Sequence, residues 1–133
     1  MSQSEPTAIV LMAHGSPDPD WRRPIDALAE RLRAREPERA VQVAYLGFLE
    51  PSFDQAVARL FAQGHRHVLV LAAFLSPGGK HIKEDVPRLV REQAAVHPEL
   101  TLALRPGALG AEPEVVEALA EAAVRALREA GVG

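Results

Sequence analysis

The chain has 133 residues, enough to bury a hydrophobic core without disulfides or a structural metal. Apolar residues make up 47% of the chain and aromatic residues only 5%, a balance that favours helices packed on a buried aliphatic sheet. The formal net charge is -3, and acidic and basic residues are interleaved along the sequence. Such a chain lacks the basic field that binds a nucleic-acid backbone, so we expect no nucleic-acid partner.

The absence of cysteine excludes disulfides and thiolate metal sites and leaves histidine and carboxylate side chains as metal ligands. A reducing cytoplasm is the simplest location for such a chain. Residues 1–7 form a polar arm without the features of a secretory signal, and no apolar run approaches the ~20 residues that span a bilayer. We therefore expect one domain over residues 1–133 and no membrane partner.

Short apolar runs alternate with segments of helical periodicity along the chain. The predicted strands cover residues 8–12, 41–46, 67–75 and 101–104. The predicted helices cover residues 21–35, a segment that opens at 50–52 and ends at 64, and residues 81–96 and 113–130, where Pro87 fits only if it lies in the first turn. This pattern predicts an α/β protein with a doubly wound, parallel four-stranded sheet in the order 2-1-3-4 and helices on both faces.

Two histidines follow neighbouring strands of this predicted sheet. His14 comes directly after the first strand, and His81 follows the loop after the third strand. Ligands of open parallel sheets bind beyond the carboxyl ends of the strands, where the strand order reverses, so both imidazoles should face one crevice. Imidazole binds divalent iron, cobalt, nickel and zinc and takes up protons near neutral pH. Taken singly, each histidine also fits a capping or helix-start role.

Other candidate groups have simpler explanations. His65 and His67 lie at the opposite, amino end of the third strand, and His97 lies at a helix exit where it interacts favourably with the helix dipole. No glycine-rich phosphate-binding pattern follows a strand, so no nucleotide site is expected. Three cations near the carboxyl rim are solvated surface charges or partners for acidic groups on a substrate: Lys80, Lys83 and Arg105.

Three motifs in chain order are more specific than any single residue. They are His14-Gly15-Ser16, Tyr45-Leu46-x-x-x-Glu50-Pro51-Ser52, and Phe74-Leu75-Ser76-x-Gly78-Gly79-x-His81 leading to Asp85-Val86-Pro87. Over residues 8–125 the chain resembles the short CbiX-type sirohydrochlorin chelatases, the class II chelatases of cobalamin and sirohaem synthesis. The resemblance implies a flavodoxin-like fold and insertion of divalent cobalt, iron or nickel into the tetrapyrrole sirohydrochlorin, with no organic cofactor. It assigns metal binding and proton acceptance to His14 and His81, and it implies a homodimer.

One position departs from the family pattern. Many members carry a glutamate that supplements the two histidines as a metal ligand, and this chain has Gly47 there. Glu50 is the candidate substitute, although an acid at that position also favours the start of the second helix. The alternative hypothesis is therefore a non-catalytic metal or tetrapyrrole carrier that keeps the fold and the histidines. A small hydrolase or phosphotransfer enzyme is not favoured, because the chain has no nucleophile-elbow motif.

Overall fold

The computed structural model describes residues 6–75 and 80–131, without the side chains of residues 80–82. Strands and helices alternate along this part of the chain. The strands are β1 (Ala8–Ala13), β2 (Val41–Tyr45), β3 (His67–Ala72) and β4 (Thr101–Ala108), and the helices are α1 (Arg23–Arg35), α2 (Phe53–Ala62), α3 (Lys80–Val96) and α4 (Pro113–Glu129). Single 3₁₀ turns at Pro19–Arg22 and Leu109–Ala111 precede α1 and α4. Among the described residues, no helix is long and apolar enough to cross a membrane.

The four strands form one parallel sheet in the order β2-β1-β3-β4, which confirms the predicted topology. The central strands β1 and β3 are in register, with Met12 opposite Ala72. The strand order reverses between these two strands. Their carboxyl ends, and the loops that follow them, therefore lie side by side at one edge of the sheet.

The two faces of the sheet are covered differently. One face carries Val10, Val68 and Val70, which are buried against α2 and α3. The other face carries Leu11, which is buried with Ala29 of α1 in a smaller cluster. A parallel sheet covered by helices selects nearly continuous aliphatic strands, which explains why β1 and β3 are the most apolar segments of the sequence.

Some boundaries differ from the sequence-based prediction. Pro87 lies inside α3 and not in its first turn, so that prediction was wrong. A proline there removes one helical hydrogen bond without ending the helix. The strand β4 runs to Ala108 instead of residue 104, because its pairing with β3 resumes at Ala72 after an irregularity. Pro106 is compatible with this extension, since β4 is an edge strand.

Candidate functional site

The loop after β1 is fixed against the loop after β2, and His14 lies at their junction. The Leu46 amide donates to the Ala13 carbonyl at 2.9 Å, and the Gly47 amide donates to the His14 carbonyl at 3.1 Å. Gly15 has a φ of +88°, and a Cβ at that position would overlap the Gly47 carbonyl oxygen. Only glycine therefore allows the backbone of the two loops to approach so closely.

The His14 side chain is exposed at the carboxyl edge of the sheet, and aromatic rings flank it. Its ring centroid lies 4.6 Å from that of Phe74, and the Trp21 ring meets it edge-on at 6.2 Å. These rings form part of an open groove of about 620 Å³. The groove is lined by His14, Asp18, Asp20, Trp21, Pro24, Ile25, Ala73, Phe74 and Leu75. His14 thus presents an imidazole, a group that can bind divalent metals, to a largely apolar surface.

A second groove of about 280 Å³ begins on the other side of Phe74, between α3 and the end of β4. Two cations line it, Lys83 and Arg105, and the remaining lining residues are mainly apolar. One Arg105 nitrogen, Nη2, lies 2.7 Å from a Glu112 carboxylate oxygen. The other terminal nitrogen, Nη1, is buried and has no hydrogen-bond partner among the described residues. The positive charges of Lys83 and Arg105 favour an acidic group in this groove.

Tyr45 is the last residue of β2, and its side chain is buried beneath the carboxyl edge of the sheet. The Arg22 guanidinium carbon lies 5.7 Å from the Tyr45 ring centroid. Burial raises the pKa of the Tyr45 phenol above its usual 10.0, and the positive charge of Arg22 opposes that rise. The phenol therefore stays neutral at physiological pH and packs as part of the core.

The structure gives the position of one predicted site residue, His14, and leaves the roles of His81 and Glu50 as predictions. His14 is at the predicted edge of the sheet. His81 falls in the first turn of α3, but its side chain lies outside the described residues, so its approach to His14 stays a prediction. The Glu50 carboxylate accepts from Gln55 Nε2 at 3.4 Å near the start of α2, and its role as a metal ligand also stays a prediction. Within residues 6–75 and 83–131, no three histidine or acidic side chains form a metal site.

His67 and His97, which were predicted to lie away from the site, are found at their predicted positions. His67 opens β3 at the amino edge of the sheet, opposite His14. His97 follows the end of α3, where its ring packs on Phe61 with 4.8 Å between ring centroids. Neither contributes to the groove around His14.

Sequence reasoning missed the aromatic and apolar rim of the site. Phe48 and Leu75 are large apolar side chains that are 81% and 67% exposed beside this edge, and Trp21 is 39% exposed. Four of the six aromatic residues of the chain lie at this edge: Trp21, Tyr45, Phe48 and Phe74. The chain has few aromatic residues, and their concentration at or after strand ends is the sequence pattern that could have predicted this rim.

The family model CbiX matches residues 8–126 of the chain. The chain belongs to the CbiX family. Curated relatives include sirohydrochlorin cobaltochelatases of Methanococcus maripaludis and Methanocaldococcus jannaschii, which are 32% and 35% identical to it over 83 residues. Each match covers 62% of this CbiX chain and 57% of the relative. The matched segment thus spans little more than half the length of these relatives.

Solved structures share the fold of this CbiX chain. A protein of Marinobacter aquaeolei assigned to CbiX in cobalamin biosynthesis has a TM-score of 0.81 and 30% identity, over 95% of this chain and 98% of that one. The sirohydrochlorin chelatase SirB of Bacillus subtilis, solved with cobalt, has a TM-score of 0.66 and 22% identity, over 74% of this chain and 42% of that one. The SirB likeness concerns the fold alone.

Proposed function

We propose that this CbiX protein is a sirohydrochlorin metallochelatase, with a divalent metal ion and a metal-free tetrapyrrole as its two substrates. One observation carries the proposal: an exposed imidazole, His14, stands at the carboxyl edge of β1 beside an open groove of about 620 Å³. Membership of the CbiX family, whose curated members include cobaltochelatases, supports the same activity. Cobalt is the metal we favour, with iron and nickel as the other candidates.

The proposed reaction exchanges one divalent metal ion for the two protons of the pyrrole N–H groups. His14 delivers the metal, because a single exposed imidazole binds it without enclosing it. As the metal leaves, the freed imidazole can take up one pyrrole proton, and His81 is the proposed acceptor of the second. Both protons then pass to solvent, so the charges of substrates and products balance.

The rim suits a flat macrocycle with acidic side chains. The apolar surfaces of Trp21, Phe48 and Leu75 can contact the face of the ring. Lys83 and Arg105 line the neighbouring groove, and their positive charges can attract a carboxylate of the tetrapyrrole. Apolar contact would then hold the ring at the rim while the cations fix its orientation.

A homodimer is part of the proposal, because one small open rim leaves the second face of a macrocycle uncovered. A second copy related by two-fold symmetry supplies another rim. Light scattering at assay concentration should give twice the chain mass of 14.4 kDa. Full activity in a sample that scatters as a monomer would contradict this part of the proposal.

The decisive experiment is an anaerobic assay with sirohydrochlorin and Co²⁺, Fe²⁺ or Ni²⁺ in turn. The loss of the free-base absorption spectrum reports insertion. His14→Ala should reduce the enzymatic rate by about 100-fold or more, the scale expected when a positioned acid-base group is lost. His97→Gln, which changes a histidine remote from the groove, should keep the rate. Unchanged insertion by His14→Ala would contradict the assignment of His14.

A carrier is the second candidate function, and Gly47 favours it because no carboxylate stands at the position where many chelatases have a glutamate. A carrier binds Co²⁺ or the tetrapyrrole stoichiometrically and leaves the uncatalysed insertion rate unchanged. A chelatase forms many equivalents of product per protein. Product formed beyond one equivalent per protein and faster than the uncatalysed reaction therefore decides between the two functions.

A further inference from the structure

The loop after β2 carries a residue with a strained backbone, Phe48. Its φ is +70°, and within residues 6–75 and 80–131 it is the one non-glycine residue with a positive φ. The Leu49 amide donates to the Gly47 carbonyl at 2.8 Å, so Phe48 is the central residue of a γ-turn. The form of this turn with a positive φ is rare and strained, and a bulky side chain makes it more so.

The side chain of Phe48 is also unusually exposed. At 81% exposure, it is the most exposed large apolar side chain in the described part of the chain. A ring so exposed makes few packing contacts that could offset the strain of its backbone. Backbone strain that packing does not repay is typical of binding and catalytic sites, where the conformation itself is used.

The turn that carries Phe48 is fixed to the candidate site. The Tyr45 amide donates to the Pro51 carbonyl at 2.9 Å and closes the base of the loop. The Gly47 amide donates to the His14 carbonyl at 3.1 Å. Phe48 directly follows this anchored residue, so its exposed ring leaves the backbone from a fixed point beside His14.

We propose that Phe48 is a substrate-binding residue whose ring stacks on the flat face of the tetrapyrrole, and that the strained γ-turn holds the ring in place before the macrocycle binds. The inference rests on the proposed chelatase function and names a residue that positions its larger substrate. An aromatic ring matches a planar, conjugated ligand, and a ring held in advance loses less conformational entropy on binding. The link to His14 favours the substrate over a second copy of the chain as the partner of Phe48.

Two ring-deleting variants test the strain. Phe48→Ala and Phe48→Gly both remove the ring, but only glycine relieves the backbone. At an unstrained exposed position, alanine gives the more stable protein. Here the folding equilibrium constant of Phe48→Gly should exceed that of Phe48→Ala by about three- to fivefold, which is the left-handed penalty less the extra entropy of glycine. Urea titration measures both constants, and a more stable Phe48→Ala would overturn the strained turn.

The contact with the macrocycle is tested by equilibrium binding of metal-free sirohydrochlorin, which needs no turnover. Trp21 is the only tryptophan and lines the groove beside His14, so quenching of its fluorescence by the bound tetrapyrrole reports the Kd. Phe48→Ala and Phe48→Gly should raise the Kd by about tenfold, the scale of one lost aromatic contact. Phe48→Tyr keeps the ring and should stay within about twofold of the wild-type Kd.

A matched control and the insertion assay separate this contact from a general loss of apolar surface. Val96, at the end of α3, is 62% exposed and remote from the rim, so Val96→Ala should keep the wild-type Kd. In the insertion assay, both ring-deleting variants should raise KM and keep kcat within about twofold, because the contact is made equally in the ground and transition states.

The outcomes distinguish this inference from the proposed function. Wild-type protein that binds and metallates sirohydrochlorin, with an unchanged Kd in Phe48→Gly, would overturn the role of Phe48 and keep the chelatase. Wild-type protein that neither binds nor metallates sirohydrochlorin would overturn both. Light scattering of Phe48→Gly should give the wild-type mass, and a smaller mass would assign Phe48 to a contact between copies and overturn its role in binding substrate.

Discussion

Among the six glycines that the structure describes, Gly15 is the one at which two separate costs of an alanine substitution meet. The backbone has a φ of +88°, and a non-glycine residue there loses roughly 1–2 kcal/mol. The added methyl group would also overlap the Gly47 carbonyl oxygen, and relieving such an overlap typically costs about 1–3 kcal/mol more. We expect Gly15→Ala to lower the free energy of unfolding by about 2–5 kcal/mol.

Two other glycines separate these costs. Gly64 has a φ of +97° but open space around a Cβ, so Gly64→Ala should lose only the backbone share of roughly 1–2 kcal/mol. Gly47 has open space and no positive φ, so Gly47→Ala should be neutral or stabilise by up to about 1 kcal/mol. Urea titration followed by circular dichroism measures all three free energies. If Gly15→Ala costs no more than Gly64→Ala, the close approach of the two loops is wrong.

Three further predictions concern the rim. Gly47→Glu should tighten Co²⁺ binding by about tenfold in calorimetry, the scale on which supporting groups tune metal sites, and unchanged affinity would show that the new carboxylate does not reach the metal. Tyr45 is the only tyrosine, so the tyrosinate absorbance of the folded protein should rise with a midpoint above pH 10.0, and the midpoint should return to 10.0 in urea. The folded state holds the phenol proton more tightly than the unfolded state. Tyr45 therefore adds stability below pH 10 that is lost as the pH rises through the folded pKa. Phe74→Ala should cost about 3–5 kcal/mol, whereas Leu75→Ala, at an exposed position, should stay within about 0.5 kcal/mol.

The fold was predictable because its signals are local and repeated. The strand β1 is buried on both faces except at Ile9, and β3 is buried on one face and partly covered on the other. Their runs of Val, Leu and Ala therefore indicated a parallel sheet before any topology was known. The position of His14 at the carboxyl edge of the sheet was predictable because it directly follows β1. The extension of β4 past residue 104 was not, because pairing that resumes at Ala108 depends on tertiary contacts and not on local propensity.

The surroundings of His14 were less predictable than His14 itself. Phe74 and Trp21 come from loops far apart in sequence, and only the folded sheet brings both rings to one imidazole. The exposure of the apolar side of α4 could not be predicted from the sequence either. Its apolar stripe predicts a helix that is covered by something, and periodicity cannot say whether the cover comes from its own chain or from another copy.

The glycine at position 47 is a chemical difference and not a requirement of the fold. Its carbonyl must approach Gly15, and its amide must reach the His14 carbonyl, but both are backbone groups that any residue has. Its own Cβ position points into open space, so a glutamate could occupy it without moving the loop. Under the proposed role of His14, the missing carboxylate weakens the hold on a metal beside it, while the rim that would receive the macrocycle stays intact. Weaker holding in the ground state also favours release of the metal, since only interactions that strengthen in the transition state accelerate transfer. Gly47 is thus compatible with the proposed chelatase activity, which requires the metal to be released to the macrocycle.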